Sequence, residues 1–266
     1  EEGRTGFAGG LLELGGGVKL DGEQGPTLDL LLTAKQALLT RNENMVVRSN
    51  GEIRVTGPWA AASVSGDLRL VESRYFQEID LLPTNKQGTT LPSSPMNVEK
   101  TYGTEAEPFK DWQLDLKILT EDPFRVRTNL AAADIVVDLR LSGPLSQVYP
   151  EGFVDLKDTY AQLPFSRLDL NNSYVRFSEE TGFPGQLDIR GESQIRDYLT
   201  RIVVSGNANK FDYVLTSNPP LPDEEIMALL GTGATREDLV GSGQAAASRA
   251  AILLFDKLWR KIAKKD

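Results

Sequence analysis

The chain has 266 residues, a formal net charge of −9, and neither cysteine nor histidine. These absences exclude thiol nucleophiles, disulfides, zinc sites built on Cys or His, and Ser-His-Asp triads. The acidic balance argues against a nucleic-acid partner.

Residues 1–83 are predicted to form an upstream β-repeat segment. Ile53 and Val55 alternate with Arg54 and Thr56, and similar alternation recurs along this stretch. Alternation with a period of two gives each strand one apolar face and one polar, solvent-exposed face. The chain begins at Glu1 without a signal-peptide pattern, and we interpret it as a piece of a longer protein. No apolar run is long enough to predict a membrane-spanning helix.

An internal repeat relates residues 53–70 to residues 139–156. The Gly57-Pro58 pair matches Gly143-Pro144, and Gly66 matches Gly152, at a constant offset of 86 positions (152 − 66). Upstream, VRSN at 47–50 resembles VRTN at 126–129. Repeated strand units with one apolar face must stack to bury it, which favours an elongated sheet.

Residues 84–109 are predicted to be a mobile polar loop or linker, because this Pro- and Ser-rich stretch lacks hydrophobic periodicity. Residues 110–221 then return to strict alternation and are predicted to form a second β segment. Buried parallel strands have continuous apolar runs, so the alternation indicates antiparallel-type pairing.

Residues 222–266 are predicted to form C-terminal helices. Pro222 and the acids after it favour a helix start, Gly231 is predicted to end that helix, and Thr235 to Asp238 resembles a capping box. A later basic amphipathic helix has two interpretations, a cap on the sheet end or a contact with a membrane or partner. Its predicted contact residues are Lys257, Trp259, Arg260, Lys261, Lys264 and Lys265.

Several motifs resemble the C-terminal domain of the TamB family, in the AsmA-like group of bacterial envelope proteins. They are Gly152-Phe-Val-Asp-Leu156, Leu-Pro-Phe at 163–165, Pro184-Gly-Gln-Leu-Asp-Ile189 and the string from Leu215 to Gly231. The last string is the most specific, and the resemblance covers roughly residues 110–245.

This resemblance implies a non-enzymatic, periplasmic part of a protein anchored in the inner membrane. The expected partners are phospholipid acyl chains, with membrane contact at the ends of the full-length protein. In the alternative, the chain assembles outer-membrane or autotransporter proteins with a barrel of the BamA or TamA type, by strand templating. The expected fold is mainly β, an elongated, curved, antiparallel-type groove (β-taco-like) built from repeated strand units, with short C-terminal capping helices.

The apolar face of the strands is the candidate site, and the sequence leaves two interpretations of it, a lipid groove or the dry core of a β-sandwich. The predicted groove lining comprises Ile53, Val55, Leu68, Leu70, Leu114, Leu116, Val137, Leu139, Val154, Leu156, Leu168, Leu187 and Ile189. No catalytic constellation, metal site or cofactor is predicted. A third hypothesis, a β-helical enzyme acting on polysaccharide, requires clustered acids and aromatics that the sequence does not group together.

Overall fold

The computed structural model describes residues 3–7 (backbone only), 10–20, 25–77, 103–163, 165–207, 210–235 and 238. Within these residues the fold is mainly β, as expected: fourteen strands form one sheet, accompanied by a single α-helix and a short 3-10 helix. The first half of the sheet comprises β1 (Gly3–Phe7), β2 (Gly10–Lys19), β3 (Thr27–Arg41), β4 (Met45–Pro58) and β5 (Ser63–Gln77). The second half comprises β6 (Gln113–Thr120), β7 (Phe124–Thr128), β8 (Ala131–Pro144), β9 (Tyr149–Gln162), β10 (Arg167–Leu170), β11 (Ser173–Phe177), β12 (Gln186–Ile195), β13 (Tyr198–Asn207) and β14 (Phe211–Asn218).

Most strands pair with their neighbours in the chain, so the sheet is largely a meander from β1 to β14. The prediction of antiparallel pairing is confirmed for these neighbours and is wrong at one seam, where β5 pairs in parallel with β6 and β7. A parallel pair needs a long crossover connection. Residues 78–112, between β5 and β6, provide the length that such a crossover requires.

The repeat is a three-strand unit in the structure. Residues that pair across strands in the first unit have equivalents 86 positions later that pair in the second unit. Ile53 pairs with Gly66 just as Leu139 pairs with Gly152. The unit β3–β4–β5 therefore corresponds to β6/β7–β8–β9, with the single strand β3 replaced by two strands. The similarity of VRSN to VRTN is not structural, because the register aligns residues 47–50 with residues 133–136.

A β-bulge also repeats at this offset. Glu72 in β5 has φ of 45° and Asp158 in β9 has φ of 43°, and each lies where the register shifts against the preceding strand. A bulge bends its strand and increases the local twist. Bulges at equivalent places in both units therefore bend the sheet at the same level along its strands.

The C-terminal helix α1 (Asp223–Thr232) begins after Pro222, as predicted. It ends later than predicted, at Gly233 instead of Gly231. Gly233 adopts a left-handed φ of 71° and donates its N–H to the carbonyl of Leu229, the conformation that makes glycine the usual helix terminator. The capping-box hydrogen bonds between Thr235 and Asp238 are present at 3.3 and 3.4 Å.

Two predicted segments fall largely outside the described residues. Of the predicted loop at 84–109, only residues 103–109 are described. They lead into the 3-10 helix η1 (Phe109–Asp111), and Thr104 donates its N–H to the carbonyl of Leu145 at 2.7 Å. The basic C-terminal residues named above also lie outside the described chain, so their placement stays a prediction.

Candidate functional site

Cross-strand register brings the predicted lining residues together on one side of the sheet. Residues that face each other across a ladder point to the same side. Val64 pairs with Val55 and with Leu114, and Val154 pairs with Val137 and with Val175. These pairings belong to neighbouring registers on the same side of the sheet, which we call the apolar face.

All thirteen predicted lining residues lie on the apolar face. Each is half-buried in the described structure, so these side chains are neither fully buried in a core nor fully exposed to solvent. Their contribution to ligand binding stays a prediction. The register also places there Leu30, Leu32, Ile118, Ile135, Leu141, Val175 and Val204, which the prediction left out although they follow the same alternation.

Helix α1 covers one end of the apolar face. Ile226 and Leu229 are 0% exposed and pack with Ile202 and Leu215 of β13 and β14. Leu168 packs against this cluster, so one predicted lining residue lies at the helix-covered end. This arrangement gives α1 the capping role expected for the C-terminal helices.

An aromatic cluster covers part of the other end, where the Gly-Pro turns lie. Trp112 is buried against Leu28 and Ala62, and its indole N–H donates to the carbonyl of Trp59 at 2.8 Å. Val55 packs on the same cluster. The remaining predicted lining residues belong to neither cluster, and we call their region the central apolar face.

The opposite side of the sheet is charged. Arg140 in β8 makes two hydrogen bonds to Asp115 in β6, at 2.7 and 2.9 Å. The hydrogen bond from Arg140 lowers the pKa of the Asp115 carboxyl, and the same contact raises the pKa of Arg140. We call this side the charged face; it is well solvated and gives the sheet two chemically distinct surfaces.

Asp188 provides a test of acid sensitivity on the charged face. Hydrogen bonds from Arg190, at 2.9 and 3.0 Å, lower its pKa below the usual 3.8. The folded state therefore binds this proton less readily, and the resulting stability is present above pH 3.8 and lost as the pH falls through the folded pKa. We expect Asp188→Asn to lose less stability than wild type between about pH 5 and about pH 3. Urea unfolding followed by circular dichroism measures this difference.

The matched control is Asp29→Asn, which removes an exposed aspartate of β3 that makes no ion pair with any described residue. This variant should keep the wild-type acid response. An Asp188→Asn variant with unchanged acid response would show that the ion pair contributes nothing to folding, as many exposed pairs do.

Across the part of the chain that the structure describes, no group of three or more acidic, His or Cys side chains is placed to hold a metal. None of the described helices is long and apolar enough to cross a membrane. The two surfaces that the described residues offer to a ligand are the apolar face and the charged face.

Comparison with known proteins identifies the family. No curated protein matches this sequence. The family model for the TamB C-terminal domain matches residues 2–259, nearly the whole chain, so the protein belongs to the TamB C-terminal domain family of bacterial envelope proteins.

Proposed function

We propose that this chain is a non-enzymatic, periplasmic segment of a TamB-like protein anchored in the inner membrane, and that its apolar face conducts phospholipid acyl chains between the inner and outer membranes. The observation that carries the proposal is a broad row of half-buried apolar side chains, several registers wide, that crosses one side of the sheet from Leu30 and Leu32 in β3 to Leu187 and Ile189 in β12. The row runs across the strands, which is the direction in which a lipid would travel along the sheet.

The dimensions of the row support this function. Neighbouring strands lie about 4.8 Å apart, so the path from β3 across to β12 is about 30 Å or more. The hydrocarbon core of a whole bilayer is about 30 Å thick. An extended acyl chain therefore fits along the row, and each buried methylene contributes about 0.8 kcal/mol.

The topology favours a groove over a sandwich core. All fourteen described strands belong to one sheet, so no second sheet among them covers the central apolar face. Leu14 and Val18, on the apolar face of β2, are 45% and 47% exposed. Apolar residues that stay accessible along a curved sheet suit a passing ligand better than permanent packing.

The test is to purify the full chain without detergent and to identify bound lipid by native mass spectrometry and lipid extraction. Wild type should retain phospholipid, and Leu139→Asp should lose most of it, because a carboxylate interrupts the central apolar face. The matched control is Phe153→Asp, which places the same charge on β9 but on the charged face, where Phe153 is exposed and pairs with Asp138.

Circular dichroism establishes that both variants stay folded. Lipid loss in Leu139→Asp but not in Phe153→Asp supports conduction along the apolar face. A lipid-free wild-type protein, or equal lipid in both variants, overturns the proposal.

A second candidate function is strand templating during assembly of outer-membrane proteins, with a barrel protein of the BamA or TamA type as partner. Within the described residues β14 pairs only with β13, so one of its edges is open to strand addition. Since the chain has no cysteine, a single Thr216→Cys on β14 gives a clean crosslinking site. Crosslinks to a nascent barrel strand from Thr216→Cys, and not from Arg201→Cys in the interior strand β13, would support this function.

A further inference from the structure

A cleft of about 560 Å³ opens on the charged face, at the end of the strands away from the Gly-Pro turns. Four arginines line it, Arg41, Arg48, Arg74 and Arg125, together with the acids Glu72 and Asp122. Its size lies within the range of small-molecule sites. The lining has two more cations than anions, on a chain whose net charge is −9.

The register explains how residues distant in sequence meet here. Arg41 pairs with Val46, Val46 with Arg74, and Arg74 with Arg125, so three arginines share one row across β3, β4, β5 and β7. Strand spacing places the backbones of Arg74 and Arg125 about 5 Å apart, and those of Arg41 and Arg74 about 10 Å apart. Asp122 and Pro123, in the connection between β6 and β7, line the cleft beside this row.

Three of these arginines differ from several other arginines on the charged face. Arg140, Arg190 and Arg201 each have a carboxylate partner within 2.9 Å. In contrast, Arg41, Arg74 and Arg125 are exposed and make no ion pair with any described residue. Their guanidinium groups are therefore free to receive an external anion.

In the second repeat unit, one of the equivalent arginine positions is occupied by a carboxylate. At the offset of 86 residues, Arg41 corresponds to Arg127 and Arg48 corresponds to Asp134. Arg127 hydrogen-bonds Asp134 at 2.6 Å, whereas the first unit has arginine at both positions. The first unit thus has a cation where the second has a carboxylate, so the cleft lining carries four arginines against the two acids Glu72 and Asp122.

We propose that this cleft binds a small polyanion that carries two phosphate groups. The planar guanidinium fork matches phosphate oxygens, and the spacing of Arg41 from the Arg74–Arg125 pair suits two such groups better than one. The cleft lies on the side opposite the apolar face, so the site is separate from the acyl-chain path. Free phosphates and the headgroups of anionic lipids share this chemistry.

Titration calorimetry of the full chain with pyrophosphate, at low ionic strength, tests the proposal. Wild type should bind, and Arg74→Gln combined with Arg125→Gln should weaken binding at least about tenfold. Arg41→Gln, two strands away, provides an independent second disruption. The control Arg201→Gln makes the same charge change outside the cleft and should leave the affinity unchanged.

Flotation with phosphatidylcholine vesicles that contain cardiolipin, whose headgroup carries two phosphates, and with vesicles of phosphatidylcholine alone separates the two sources of phosphate. Pyrophosphate binding that the arginine variants weaken supports a site for a free anion, and flotation that requires cardiolipin and that the same variants weaken supports a site for a headgroup. Failure of both probes to bind, or binding that the cleft variants do not change, overturns the proposal. Leu139→Asp should bind pyrophosphate normally, so failure of the acyl-chain proposal is distinguishable from failure of this one.

Discussion

Leu229→Ala should destabilise the protein by about 2–5 kcal/mol, the range for truncating a fully buried leucine. Leu229 is 0% exposed and packs in the cluster that joins α1 to β13 and β14. Few contacts outside this cluster hold the helix to the sheet, so the cavity should weaken the attachment of α1 as well as the core. Urea unfolding followed by circular dichroism measures the loss.

The control is Leu20→Ala, since Leu20 is 78% exposed and its truncation should change stability by less than about 0.5 kcal/mol. Hydrogen exchange adds a local measurement, because amides of α1 should exchange faster in Leu229→Ala. Equal stability of the two variants would contradict the assignment of α1 as the cover of the apolar face.

Gly152→Ala should cost about 2–3 kcal/mol or more, because two obstacles act together. Gly152 has φ of 124°, which an L side chain rarely adopts, and an added Cβ would lie 2.1 Å from the backbone oxygen of Asp138. The partner strand must move to admit the methyl group. Thermal unfolding should show a clear loss of stability.

The repeat provides an internal replicate of this experiment. Gly66 has φ of 150°, and its added Cβ would lie 2.0 Å from the oxygen of Glu52, so Gly66→Ala should behave similarly. Gly17→Ala is the control, because nothing lies within 4 Å of an added Cβ there. If Gly17→Ala were as harmful as Gly152→Ala, neither the close strand contact nor the positive φ would account for the loss of stability.

The sequence predicted the strands and the apolar face well, because alternation directly reports which side chains share a side. Leu139 and Val154 were assigned to one face from parity alone, and their register places them there. The offset of the repeat could also be predicted, because Gly57-Pro58 and Gly66 match Gly143-Pro144 and Gly152. Gly66 and Gly152 are strong markers of the repeat because a side chain at either position would clash with the partner strand.

Other features depended on long-range pairing and could not be read locally. Alternation does not reveal strand direction, so the parallel seam between β5 and β6 was missed. The arginine cleft could not be predicted either, because Arg41, Arg74 and Arg125 are far apart in the chain and meet only through the pairings of β3, β4, β5 and β7. Leu168 was assigned to the lining, but a helix more than fifty residues later covers its end of the face.

The parallel seam has a consequence for folding order. Strands that pair with chain neighbours close short loops, and such pairing is fast because little entropy is lost per contact. The β3–β4–β5 and β8–β9 pairings can therefore form early during folding. Pairing of β5 with β6 instead requires closure of the long connection formed by residues 78–112. The protein should thus assemble as two cooperative halves whose union is the slow step, and the arginine cleft, which spans that joint, is completed last.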